Sequence, residues 1–541
     1  MKGPRNGTSF DTVVIGSGPG GLTAALALAR AGQRVAVFEQ HYLPGGWTHS
    51  FSLDGHQFSP GVHYVGDLGV GGGLRRVYET FGLSGDLEFT EMNPAGFDHF
   101  LIAGERFDQP RGADAWISKL IARFPDERRG ITRFFEVIRG LAGDLARCDE
   151  LLRFPEIALL PLRAPRLLRW GFSTLDALLD ATIRDPMLRA VLSAQCGNHG
   201  LPPSRVSLPL HAAMTAHYFD GAFYPRGGAK RIAAAYVRAL RRHGGEIHLD
   251  CPVKRILTEG KRAVGVELAG GVTVRAAHVV CNADPAVTFG SLLPRSLCPR
   301  QLAKVERTDY TVAMMSLFCA ARMDLRAMGY DSGNYWFYRT TDVGGIYERA
   351  ERELGAQVDA LFLGVSSLKD PGHEARGTHT IEMFAFVPWS AFSRWSHLEM
   401  GARGPDYDAQ KERLTAQMLD ASEEIIPGLR ERLTFVSAGT PLTNAFYCRS
   451  HRGAMYGSAK TPWQSGPFTF SARGPVDRLH FCGASILSHG VAGATMSGLA
   501  AARDVLGLED TGSLVGPGDG TLRITHAESL REASTAAIAA E

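Results

Sequence analysis

An α/β fold is predicted for this 541-residue chain, with a Rossmann-like dinucleotide-binding domain and an interleaved α+β domain. Three observations predict it. A glycine-punctuated strand–turn–helix–strand unit runs from Phe10 to Glu39. Short strands return from Glu246 to Asp284, and a strand, a set of glycines and a helix follow between Pro475 and Gly507. The intervening stretches, one helix-rich and one aromatic-rich, lack that rhythm and read as a second domain.

Phe10 to Ile15 is a short β-rich apolar run, the pattern of a buried parallel strand. Gly16, Gly18 and Gly21 follow with G-x-G-x-x-G spacing. The first permits a tight turn, the second admits a pyrophosphate against the backbone, and the third lets helix and strand approach. Leu22 to Ala31 is an alanine- and leucine-rich helix that Gly32 stops. A second strand, Arg34 to Phe38, ends in Glu39, which lies 23 residues beyond Gly16, close to the roughly 20 expected of an acid that accepts ribose hydroxyls.

Gly45 and Gly46 form a loop in which backbone can lie against a ligand, and Asp54-Gly55 centres a hairpin over Ser52 to Phe58. In Gly61-Val62-His63-Tyr64 two polar rings stand beside a glycine. Gly69 to Gly73 reads as a flexible turn before a helix, Leu74 to Phe81, rather than as a second phosphate loop.

Residues 75 to 220 are mostly helical by pattern. Within them Leu151 to Trp170 mixes leucines with Arg153, Arg163, Arg166 and Arg169, and three prolines break any long helix. This is either a set of packed short helices with solvated arginines or a basic amphipathic patch for a membrane surface. Cys196 and His199 have no partner pair for a metal, so none is expected. His211, His217 and Tyr218 fit packed polar side chains as well as catalysts. Tyr224 to Gly228 precedes a helix, Ala229 to His243.

From Glu246 an antiparallel meander re-enters a sheet at His278 to Cys281, with Asn282 to Pro285 as a turn. Residues 300 to 425 are rich in aromatics, among them Tyr335, Trp336, Phe337, Tyr338, Phe384, Phe386, Trp389, Phe392 and Trp395. That density suits walls around a long apolar ligand. Leu479 to Cys482 is a strand followed by Gly483, Gly490, Gly493 and a helix, Ala494 to Leu506, whose N-terminus offers a partial positive charge. The expected division is therefore 1–75, 221–299 and 426–510 in the dinucleotide domain, 76–220 and 300–425 in the substrate domain, and 511–541 as a mobile tail.

A net charge of +2 gives no reason to expect nucleic acid. The eight cysteines are dispersed without a CxxC pair, which suggests free thiols in a reducing compartment. The opening MKGPRNGTS is too short and polar for a signal peptide, and no window reaches the roughly 18 apolar residues of a bilayer span. A cytoplasmic protein, with peripheral membrane contact at most, is the expectation.

Beyond these readings, EQH…PGGW with GVHYVG, YPRGG, GTPLTNAFY…RGAMYG and HGVAGATMSG together resemble the flavoproteins of the phytoene desaturase, carotenoid isomerase and retinol saturase family. PLTN at 441–444, RGAMYG at 452–457, GVHY at 61–64 and SLKDP at 367–371 resemble the retinol saturase branch. The resemblance runs from Asp11 to Gly507. It implies non-covalent FAD, with Gly16, Gly18, Gly21, Glu39, Gly45 and Gly46 at the ADP half, Val253 at the adenine pocket, and Gly483, Gly490, Val491 and Gly493 at the ribityl and isoalloxazine end. In one departure, many relatives place an acid just after the glycine that aligns with Gly483, where this chain has Ala484 and Ser485.

The activity implied is oxidation, reduction or isomerisation of conjugated double bonds in an apolar isoprenoid, a retinoid or carotenoid. Saturation of a C=C bond is expected first. A phytoene desaturase or cis–trans isomerase is the alternative, and an amine-oxidase-like flavoenzyme the more distant one. An unactivated polyene needs no catalytic triad, and none is found. Reduction needs a proton donor, for which His63, Tyr64, His211 and Tyr218 are candidates. No second βαβ unit offers a nicotinamide site, so an external electron donor or acceptor is expected.

Overall fold

The computed structural model describes residues 5–147, 160–370 and 377–530. Two seven-stranded sheets organise the chain. In the first, Ser9–Ile15 pairs in parallel with Val35–Phe38 on one side and Thr273–Cys281 on the other. Glu246–His248 extends one edge in parallel. On the other side Thr273–Cys281 takes Leu479–Phe481 in parallel and the antiparallel meander Val253–Glu259 and Arg262–Leu268. Val13 and Val14 are fully buried on opposite faces, as expected of a strand covered on both sides.

The helix Pro19–Arg30 is buried along nearly its whole length between this sheet and two other helices, Lys230–Arg242 and Gly490–Leu506. Its alanines permit that approach. A side chain on Gly498 would overlap the Gly20 carbonyl oxygen, and one on Gly20 would lie 2.9 Å from the Ala494 carbonyl. The glycines thus bring two helix N-termini to one place.

The second sheet runs Leu433–Gly439, Ala313–Arg322, Thr378–Val387, Ala360–Val365, Asn334–Tyr338, Asp98–Ile102, Glu105–Gln109. Only the Asn334–Tyr338 and Asp98–Ile102 pair is parallel. Its last two strands form a hairpin inside a region expected to be mostly helical. The turn falls at Ala103-Gly104, both at positive φ. The remainder of that region does supply helices, chiefly Ala113–Arg123, Arg128–Ala146 and Leu208–His217, and these cover one face of the sheet.

A third, small sheet pairs Glu88–Glu91 with Phe223–Pro225 and, in parallel, with Arg523–His526. The stretch beyond 510, expected to be a mobile tail, is therefore a strand held between buried Leu522 and Ala527; residues 531–541 lie outside the described chain. So does much of the arginine–leucine stretch, residues 151–159. Its later part forms the short helices Leu160–Arg163 and Pro165–Trp170. Among the described residues no helix is long and apolar enough to cross a membrane.

Candidate functional site

A cavity of about 850 Å³ lies between the two large sheets, within the roughly 300–1,000 Å³ typical of ligand sites. Its first half is built from glycine loops. Gly16 turns out of the first strand at φ +89°, and Gly18 is the N-cap of Pro19–Arg30, with no side chain capping that terminus. A Cβ on Gly18 would lie 2.7 Å from Asn282 Nδ2, and one on Gly46 3.3 Å from Gly18 Cα. A Cβ on Gly21 would overlap the Gly16 carbonyl oxygen. Two loops and an uncapped helix end thus form a cradle that any side chain would fill, the requirement for backbone to grip a pyrophosphate.

Glu39, buried at the end of the second strand, lines the same cavity. It accepts the Ser17 amide and hydroxyl, both at 2.7 Å, and the His41 amide at 2.9 Å. Ser17 Oγ in turn accepts the Gly45 amide at 3.1 Å. Gly45 therefore sets the loop rather than touching the cavity. Val253 reaches the cavity at the first residue of its strand. Gly483, Gly490, Val491 and Gly493 line the far end, where the uncapped helix Gly490–Leu506 begins. These residues fit the dinucleotide of a flavin.

The second half is apolar on one side and polar on the other. Met314, Trp336, Phe362, Phe384 and Phe386 supply the apolar wall. Alternation along each strand explains why only part of the aromatic set is there. Trp336 faces the cavity while Tyr335 and Phe337 enter the core on the opposite face with Phe392 and Trp395. Tyr338 is tied to the Ala194 carbonyl at 2.6 Å.

His63, Tyr64 and Tyr218 line the polar side. His63 Nδ1 is 3.0 Å from Glu382 Oε2, and its ring lies 4.6 Å from Phe384. Burial lowers the His63 pKa, against the pull of Glu382. Fully buried Glu382 also accepts the Ser59 amide at 2.6 Å and Ser366 Oγ at 2.9 Å. The Tyr64 hydroxyl donates to Asp98 at 3.1 Å and accepts from Asn198 at 2.9 Å, and its ring stacks on Tyr218 at 4.6 Å. Burial raises both tyrosines well above the usual phenol value.

Behind this wall lie charges that the sequence did not single out. Asp98 is fully buried, takes Gln195 Nε2 at 2.8 Å and Asn334 Nδ2 at 3.2 Å, and burial lifts its carboxyl to about 6. Lys369 Nζ, equally buried, donates to Asn334 Oδ1 at 2.6 Å and to the His63 carbonyl at 3.0 Å; burial lowers it to about 8. An isolated buried charge costs several kcal/mol, and the pairing through Asn334, His63 and Glu382 offsets that.

His211, unlike the other three candidates, does not reach the cavity. Its Nδ1 lies 3.3 Å from His199 Nε2, and burial lowers its pKa to about 4. His199 and His489 do line the cavity, with ring centroids 5.0 Å apart. Among the described residues two lysines are buried, Lys369 and Lys460, and neither lines it.

The fold and this site define a flavin-dependent oxidoreductase. The model of flavin-containing amine oxidoreductases matches residues 19–315, and that of FAD-dependent oxidoreductases residues 174–503. All-trans-retinol 13,14-reductase of Macaca fascicularis is 30% identical over 538 residues, covering 94% of this chain and 88% of that protein. The human all-trans-retinol 13,14-reductase is 30% identical, covering 92% and 85%. Prolycopene isomerase of Arabidopsis thaliana is 26% identical, covering 92% and 84%. Among solved structures, putrescine oxidase bound to putrescine superposes with a TM-score of 0.61 at 18% identity, covering 92% of this chain and 99% of that one. The chain belongs to the flavin-containing amine oxidoreductases, within the group that holds the retinol 13,14-reductases and prolycopene isomerases, and is an FAD-dependent enzyme.

Proposed function

We propose that the enzyme saturates one C=C bond of an apolar conjugated isoprenoid, with a retinoid as the best-supported substrate. The observation that carries this reading is the pairing, across one cavity, of an aromatic wall with a buried Tyr64–Asp98 proton site. The 30% identity to retinol 13,14-reductases over most of both chains supports reduction over the desaturase and isomerase alternatives.

Gly16, Gly18, Gly21, Glu39 and Gly46 would hold the ADP half of FAD, with Val253 at its adenine, and Gly483, Gly490, Val491 and Gly493 the ribityl and isoalloxazine end. Bound FAD supplies two-electron chemistry, as hydride donor when reduced by an external donor. Addition across C=C needs one hydride and one proton. With Asp98 protonated, the Tyr64 hydroxyl accepts from Asp98 instead of donating to it, gives its own proton to the substrate carbon and takes that of Asp98, so the negative charge ends on Asp98. Asn334 bridges that carboxylate to Lys369, whose positive charge offsets the negative charge left on Asp98. His63, fixed by Glu382, and Tyr218, stacked on Tyr64, orient the polyene and exclude water.

We further propose that the substrate enters from an anionic membrane surface. Leu162, Leu168, Phe172 and Trp463 are each more than half exposed, beside Arg163, Arg166 and Arg169. Phe172 and Trp463 stack at 5.5 Å, with Phe468 5.5 Å from Trp463. This patch rests on the helix whose Ala142, Leu145 and Ala146 line the cavity, since the Leu167 amide donates to Asp144 at 3.3 Å. The interleaved division into a dinucleotide domain and a membrane-facing substrate domain belongs to the same proposal.

The test is anaerobic. Enzyme with chemically reduced flavin is expected to consume all-trans-retinol, shift its absorbance to shorter wavelength and recover oxidised flavin. Reduced enzyme that leaves retinol untouched, while oxidised enzyme lengthens the chromophore of phytoene, would replace the saturase reading with the desaturase one.

A further inference from the structure

The loop after Gly483 carries no acid of its own at its start, having Ala484 and Ser485. The register of the sheet supplies one from next door. Thr273–Cys281 and Leu479–Phe481 run in parallel with Cys281 opposite Phe481, so the loops that leave them lie side by side. Asp284, on the first loop, accepts the Ser485 hydroxyl on the second at 2.7 Å through Oδ2. Its other oxygen takes the Tyr310 hydroxyl at 2.7 Å and the Ala286 amide at 2.8 Å.

The position is open to the ligand. Asp284, Gly483, Ala484 and Ser485 all line the cavity. Gly457 stands over the pair at φ +74°; a Cβ there would overlap Ser485 Oγ and lie 3.5 Å from Asp284 Oδ2. The absence of a side chain at Gly457 therefore leaves the carboxylate uncovered. On the far side Ser485 Oγ accepts the Ser458 amide at 3.1 Å, and buried Lys460 donates to Ser458 Oγ at 3.3 Å. A cation is thus already placed for a negative charge on either loop.

We infer that Asp284 is the carboxylate that holds the hydroxyl-bearing linker of FAD in this chain, in place of an acid on the loop after Gly483. The inference rests on FAD as the cofactor. Ser485 fixes the carboxylate, which accepts from a ligand hydroxyl, a charge-assisted bond in a site screened from water.

The experiment uses the full chain as wild type, D284N, S485D and D284N/S485D. Flavin per chain on purification and the Kd for added FAD by flavin fluorescence are measured, with the urea midpoint of the flavin-free proteins alongside. Asn keeps the cap on the Ala286 amide, so the D284N midpoint is expected to stay at the wild-type value while FAD binding weakens roughly tenfold to a hundredfold. Placing an acid on the neighbouring loop instead, in D284N/S485D, is expected to recover most of that loss. Wild-type affinity in D284N, or a double variant no better than D284N, overturns the assignment. Should D284N fail to fold, the double variant decides alone: folded with near-wild-type affinity it supports Asp284, and folded without flavin it overturns it. A wild-type protein that binds no FAD would instead refute the cofactor, a result separate from all of these.

Discussion

His63 Nδ1 and Glu382 Oε2, 319 residues apart in sequence, meet at 3.0 Å inside the cavity wall. Glu382 is also the negative charge that faces buried Lys369. Glu382→Gln removes it, so Lys369 falls further below its present value of about 8. A base whose folded pKa is depressed loses stability as pH falls through that value. The variant's extra deficit is therefore absent above about pH 8, where Lys369 is neutral in both folded proteins, grows as pH falls below that value, and is complete only below the variant's own lower pKa. A deficit about 1 kcal/mol larger at pH 7 than at pH 9.5 is expected, and urea titrations at the two pH values check it. An equal deficit at both would mean that Lys369 does not feel Glu382.

The two glycine roles separate by mutation. A side chain at Gly18 meets the movable amide of Asn282, whereas one at Gly21 overlaps backbone. Gly18→Val is expected to fold and purify without yellow colour. Gly21→Ala is expected to lower the thermal midpoint even without flavin, because Gly16 and the helix must part. A fully coloured Gly18→Val would show that this loop does not hold the phosphates.

How these residues divide shows what the sequence could carry. The cofactor half was legible because strand, glycines, helix and terminal acid are consecutive, and each limits its neighbour's backbone. Gly20, Gly498 and Asn282 were not, since their role exists only where segments hundreds of residues apart touch. The Asp98–Lys369–Glu382 network is similar. The three stand far apart in sequence and meet through strand register and close packing, and Asp98 and His99, both buried within a strand, disturb the alternation that would have marked it. Of the four candidate proton donors, His63, Tyr64 and Tyr218 line the cavity and His211 does not. Nothing in the helix of His211 distinguished a lining residue from one a layer behind.

Tyr64→Phe deletes the proposed proton source without disturbing the stack on Tyr218. A fall in kcat of about a hundredfold or more is expected, with KM little changed. Because neutral Asp98 must replenish Tyr64, turnover should decline as pH rises through about 6. The same raised value means that Asp98 contributes stability at low pH that is lost across that window. Asp98→Asn should flatten the profile at a low rate. An unchanged pH profile in Asp98→Asn would remove Asp98 from the proton path.

Leu167 and Trp170 are partly buried, so the surface probes are Leu162, Leu168 and Trp463. Replacing all three with serine is expected to reduce sedimentation with phosphatidylserine vesicles while flavin content stays constant. Wild-type binding should weaken as salt rises, since the arginines act through screened attraction. Equal sedimentation before and after would leave the patch as ordinary surface.

The meeting of Gly20 with Gly498 sets a timetable for biosynthesis. The loop that grips the phosphates leaves the ribosome early, but the helix it must lock against follows almost 480 residues later. At roughly 5–20 residues per second, the nascent chain spends tens of seconds with half a flavin site and an exposed alanine-rich helix face. Flavin loading is then a late event that closes the two ends of the fold together, and newly made enzyme in a flavin-starved cell should be the population that proteases remove first.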